Sequence, residues 1–270
     1  MLQPSITISL LPSRPNMPFV LGPELPSAVA AAANHGFPAF ELFPPNLDAI
    51  DVQQLTQLCD QYQIKLSTIG TGGGWVTDKL SLTDPSPEVR TRGKTYIKGV
   101  IQKAAQLGAS AIIGSMQGRC GDQDRTECLN VLRSELNELA QFAADCGQPL
   151  LYEPLNRYET DLVNSVVSTA DFFADGCHDN LKILADLFHM NIEEKNVAQA
   201  LQSLGHRLGH IHFVDSNRKV AGMGHTDFAP IVQAIKEMKF AGYLAIEAFP
   251  LPTQDEAAAA AIRSFNEYFG

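Results

Sequence analysis

Four residues able to bind a divalent metal recur at the ends of four successive strand-like runs. They are Glu153 in PLLYEP (149–154), Asp186 in LKILADL (181–187), His212 in GHIHFVD (209–215) and Glu247 in YLAIEA (243–248). The intervals between them are each about one strand-plus-helix unit of an eight-stranded α/β barrel, roughly 30 residues. In such a barrel the C-terminal strand ends converge on one mouth, so residues far apart in sequence can meet there. Carboxylates with one imidazole suit a hard-to-borderline ion such as Mn2+, Mg2+ or Co2+, with Zn2+ as a further candidate. The expected chemistry is that of one divalent ion acting as a Lewis acid on a substrate oxygen.

Each residue also has a plainer reading. Glu153 and Glu247 lie in apolar sequence, where a carboxylate is costly unless paired or metal-bound. Asp186 could instead cap a helix. His212 alternates with His210, so the two share a strand face; His212 lies nearer the strand end. Arg119, after IIGSMQG, could meet a phosphate or cap a surface.

The elements that must position these residues alternate along the whole chain. Strand-like runs at 5–11, 38–43, 64–69 and 110–115 precede the four already quoted, making eight. Between them apolar residues recur at helical spacing, as in Val52, Leu55, Leu58 and Tyr62, or Leu129, Leu132, Leu136 and Leu139. A further stripe runs through 88–107, despite Gly93 and Gly99, and an alanine run at 257–261 closes the chain. Regular alternation predicts a parallel sheet. Eight units without a linker predict an α/β fold in which residues 1–270 form a single (β/α)8 TIM-barrel domain. An open doubly wound sheet is the rival, but the first strand–helix junction lacks its glycine fingerprint.

Two connections stand out. The glycine-rich stretch 69–87 carries the only tryptophan, Trp75, and reads as a lid or a phosphate cradle; it is not a P-loop, because no GK[ST] follows. The second, DSNRKVAGMGHTDF (215–228), follows the seventh run. Long loops on this side of a barrel shape the substrate pocket. The net charge of −10 disfavours nucleic acid and anionic membranes as partners. Five cysteines with no CxxC pair, no leader-like N-terminus and no long apolar segment lead to the expectation of a reduced cytoplasmic protein.

The segments EPLNRYETDLVNS (153–165), DLFHMNIEE (186–194), GHIHFVDSNR (209–218) and GYLAIEAF (242–249) resemble the sugar isomerase/epimerase family with a xylose-isomerase-like barrel, above all ketose 3-epimerases of the D-tagatose and D-psicose type. The resemblance implies Glu153, Asp186, His212 and Glu247 as ligands of one divalent metal, and Glu153 with Glu247 as the acid/base pair. It implies that Glu159, His189 and Arg218 contact the substrate, a keto-sugar or sugar phosphate, and that the protein is a homodimer or homotetramer. Pocket aromatics are not matched in the N-terminal half; Phe43, Trp75 and Met116 are the candidates there. Leu187 follows Asp186 where many relatives carry threonine. Aldose–ketose isomerisation, as in hydroxypyruvate isomerase, shares the proton-transfer chemistry. An endonuclease IV-like repair enzyme and a non-catalytic sugar-binding protein are the alternatives from other classes.

Overall fold

The computed structural model describes residues 2–12 and 17–270. Eight parallel strands close into one barrel in sequence order: β1 (Gln3–Ser9), β2 (Ala39–Phe43), β3 (Lys65–Gly70), β4 (Ser110–Ile113), β5 (Leu150–Tyr152), β6 (Leu181–Asp186), β7 (Leu208–His212) and β8 (Tyr243–Ile246). Closure comes from β8 pairing with β1, with Gln3 opposite Tyr243 and Ile6 opposite Ile246. All eight expected strands are present, each bound within three residues of its expected position, the largest difference being the end of β7.

The strands are covered on both faces, which is why they read as nearly continuous apolar runs. Residues pointing outward, such as Ala111, Ile113, Leu150 and Tyr152, join the large core beneath the helices. Their alternates Ile112, Leu151 and Leu184 form a separate cluster, the apolar part of the barrel's filling. The rest of the filling is polar: Ser5 and Ser67 share a hydrogen bond of 2.8 Å, and Glu41 is fully buried beside Thr68.

The helices are α1 (Leu25–Asn34), α2 (Val52–Tyr62), α3 (Gly72–Asp78), α4 (Pro87–Gln106), α5 (Arg125–Asp145), α6 (Val166–Ala174), α7 (Leu187–Glu193), α8 (Val197–Leu204), α9 (Phe228–Glu237) and α10 (Gln254–Phe269). Local chemistry starts several of them: Asp51 caps α2 through the Gln54 N–H, and Thr253 caps α10 through that of Glu256. Among the described residues no helix is long and apolar enough to cross a membrane. All five cysteines are free thiols.

The stretch 69–87 is not one long loop. It contains α3, which carries Trp75, and glycine makes that helix possible by close approach. A Cβ on Gly73 would lie 2.2 Å from the Pro44 carbonyl oxygen.

Candidate active site

The four strand-end residues meet. Asp186 and His212 are the last residues of β6 and β7, while Glu153 and Glu247 lie one position beyond β5 and β8. One ligand-capable atom from each falls within 4.8 Å of the others, and all four side chains are buried. His212 Nδ1 stands 3.2 Å from Asp186 Oδ2, 3.5 Å from Glu153 Oε1 and 3.7 Å from Glu247 Oε2. Asp186 caps α7, its Oδ1 accepting the Phe188 N–H at 2.7 Å, and its Oδ2 is left facing the cluster.

A fifth buried residue, Glu41 on β2, was not singled out from the sequence. Its Oε1 is 3.1 Å from His212 Nε2 and its Oε2 is 3.1 Å from His210 Nε2. A carboxylate accepts from Nε2–H, so the lone pair of His212 is left on Nδ1, which faces the three acidic residues. His210 lies outside the four-residue cluster; with Glu41 and His212 it forms a second buried group of metal-capable side chains behind it.

The electrostatics of this group call for a cation. Burial, helped by Glu247 and Asp186 and opposed by His212, drives Glu153 up to about 8. Glu247 is also raised by burial, with Arg218 and His212 opposing. His212 is held well above its usual range because Glu41, Glu247, Asp186 and Glu153 outweigh the effect of burial. Buried carboxylates at this density need protons or a metal. Glu153 Oε1 and His189 Nε2 are buried without a hydrogen-bond partner, both aimed at the cluster. The residues present therefore fit one divalent ion: three carboxylate oxygens, a correctly turned imidazole nitrogen and an orphaned oxygen among them.

Of the three further residues, His189 sits in α7 just past Asp186, the turn being helical and not a loop. Its Nδ1 accepts from the Asn156 backbone N–H at 3.3 Å and lies 2.7 Å from Asn156 Nδ2, so Nε2 carries the proton. Burial lowers its pKa to about 4, so the ring is a neutral donor at pH 7. Nε2 lies 3.8 Å from both Glu153 Oε1 and Asp186 Oδ2. Arg218 reaches in from the loop after β7, donates to Glu247 Oε2, and stands 3.4 Å from Glu159 Oε1 with its guanidinium 4.7 Å from the Phe188 ring centroid. Asp215 folds that loop by accepting the N–H groups of Ser216, Gly222, Gly224 and Thr226.

Above the cluster opens a cleft of about 330 Å³, within the usual range of small-ligand sites. Its lining includes Glu153, Glu159, Arg218 and Glu247 together with Phe19, Phe43 and Gly70–Gly73. Gly114 keeps room for Glu153, since a Cβ there would lie 2.7 Å from Oε2. Two expected pocket residues are placed differently. Met116 is fully buried and lines no part of the cleft, and Trp75 lines a neighbouring cavity. A larger open groove between α8 and α9 contains no cluster of buried ionisable residues.

Residues 29–268 match the family described as xylose isomerase-like TIM barrel. A D-psicose 3-epimerase of Ruminiclostridium cellulolyticum is 29% identical over 193 residues, 67% of this chain and 63% of its own length, so the match spans less than two thirds of that relative. A 3-dehydro-D-guloside 4-epimerase of Escherichia coli is 29% identical, covering 67% of this chain and 71% of that protein. The solved D-psicose 3-epimerase with D-tagatose from Clostridium cellulolyticum superposes with a TM-score of 0.79 at 21% identity over 98% of each chain. Architecture, cluster and sequence agree: the chain belongs to the xylose isomerase-like TIM barrel family.

Proposed function

We propose that the protein is a divalent-metal-dependent isomerase acting on a small sugar, specifically a ketose 3-epimerase. Glu153, Asp186, His212 and Glu247 hold the ion. When bound, it supplies Lewis-acid stabilisation of the negative charge that develops on the ketose oxygens during proton removal.

The chain's own residues do the rest. A C–H beside a ketone is weakly acidic, so its removal needs a positioned base and a second group to return the proton. Glu153 and Glu247 come from β5 and β8, with β6 and β7 between them, so they approach the cleft from two sides. One takes the proton from C3, leaving an enediolate across C2 and C3. The other returns a proton to the opposite face, which inverts that carbon. Burial raises the pKa of both carboxylates, so each is able to hold a proton within the fold. His189 Nε2–H is a neutral donor for a substrate oxygen, and Arg218 orients Glu247.

The observation that carries this reading is a pair of buried glutamates, delivered by two different strands, that both line the cleft and both belong to one metal-competent cluster. The names of the relatives support it: both are epimerases, and their names specify inversion at C3 or C4 of a sugar. Incubation with D-fructose and Mn2+ tests it. Chromatography should resolve D-psicose as the product. Formation of an aldose would favour the isomerase reading, and no conversion across a panel of ketoses would remove both.

A further inference from the structure

A second cavity, of about 240 Å³, opens off the cleft at Ser115, Leu155 and Glu159, which line both. Its own walls are Trp75, Gly118, Arg119 and Tyr158. This annexe lies outside the metal cluster and plays no part in the proton transfers. Resting on the epimerase reading, we infer that it binds a second sugar ring, so that the preferred substrate is a ketose that carries a glycosyl group.

The lining has the chemistry a pyranose needs. Such a ring presents an apolar C–H face and a rim of hydroxyls, and is matched by aromatic surface with a few charged groups around it. Tyr158 is 74% exposed, the largest exposure of any big hydrophobic side chain among the described residues. Nothing packs it down, yet it stands at the wall of a cavity. Trp75 lines the same cavity from α3, with Lys79 Nζ over the indole at 5.4 Å from the ring centroid. Arg119 makes no ion pair among the described residues; the one hydrogen bond of its guanidinium, Nη2 to the Tyr158 carbonyl at 2.8 Å, fixes it at the wall and leaves other N–H groups for hydroxyls. Glu159 and Ser115 supply acceptors on the side shared with the cleft.

A phosphate fits less well. The carboxylate of Glu159 lies in the same lining and repels a dianion, and Arg119 is the only cationic side chain in the wall. A hydroxylated ring uses both charges.

The sole tryptophan makes the test direct, because Trp75 fluorescence reports occupancy of the annexe whether or not turnover follows. The probes are D-fructose, isomaltulose (fructose carrying glucose on O6) and D-fructose 6-phosphate, each with the Mn2+-loaded protein. Isomaltulose should change Trp75 emission saturably and D-fructose far less. Tyr158→Ala should lower kcat/KM for isomaltulose about 10-fold more than for D-fructose. Epimerisation of D-fructose with no conversion of isomaltulose and no Trp75 response would overturn the annexe while leaving the epimerase reading intact. Higher kcat/KM for D-fructose 6-phosphate, lost in Arg119→Ala, would overturn it in favour of a phosphate site. A Trp75 response to isomaltulose with no ketose converted would uphold the ring site and sink the epimerase reading.

Discussion

Glu41 and His212 are joined beneath the active-site cluster by a contact of 3.1 Å between Oε1 and Nε2. The contact decides which imidazole nitrogen faces the three carboxylates. Behind the cluster, Thr68 donates to the other oxygen of Glu41, which also lies against His210, so the carboxylate cannot turn away without losing partners.

Glu41→Gln removes the charge that orients His212 while nearly preserving volume. Loss of such a supporting group typically costs about 10–100-fold in metal affinity. Calorimetric titration with Mn2+ should read a loss of that size, with far-UV circular dichroism unchanged. Unaltered affinity would mean that the Nδ1-facing imidazole does not depend on Glu41.

Metal binding should also depend on pH. In the metal-free fold burial raises Glu153 from its ordinary 4.5 to about 8. A carboxyl raised in the fold contributes stability below about 4.5, and that contribution is lost as pH rises towards about 8. A divalent ion takes the ionised form and restores what is lost. The increase in melting temperature on adding Mn2+ should therefore grow between pH 6 and pH 8.5, as read by differential scanning fluorimetry. An increase that shrinks over this window would contradict a proton-competing Glu153.

His189 is argued to touch substrate and not the ion. Replacing it with alanine should cut kcat/KM for the ketose by about 10–100-fold, the worth of roughly 1–3 kcal/mol of lost hydrogen bonding. Mn2+ affinity should change much less. A parallel collapse of metal binding would make His189 a ligand or a prop for one.

Much of this site was legible because one physical rule marks it: an ionisable residue at the end of an apolar strand is expensive unless it is used. That rule picks out Glu153, Asp186, His212 and Glu247, and the strand-plus-helix rhythm brings them together. The same rule applied to PAFELF would have flagged Glu41, which has the same signal but sits mid-strand, not at a strand end. The helix bearing Trp75 was hidden for another reason. Three consecutive glycines argue against helix on propensity, whereas tertiary contact with residues 44–45 requires glycine at position 73. Met116 offered no sequence signal to distinguish a core side chain from a pocket one. The direction of Arg218 depends on how Asp215 gathers the backbone of its loop, a contact pattern that spacing alone does not reveal.

The central claim is a proton removed from and returned to one carbon. Nuclear magnetic resonance of D-fructose turned over in D2O with the Mn2+-loaded protein tests it most directly. The account predicts one deuterium at C3 of the product and none at C1. Deuterium at C1, or a product inverted at C3 with no solvent deuterium, would contradict proton exchange through Glu153 and Glu247.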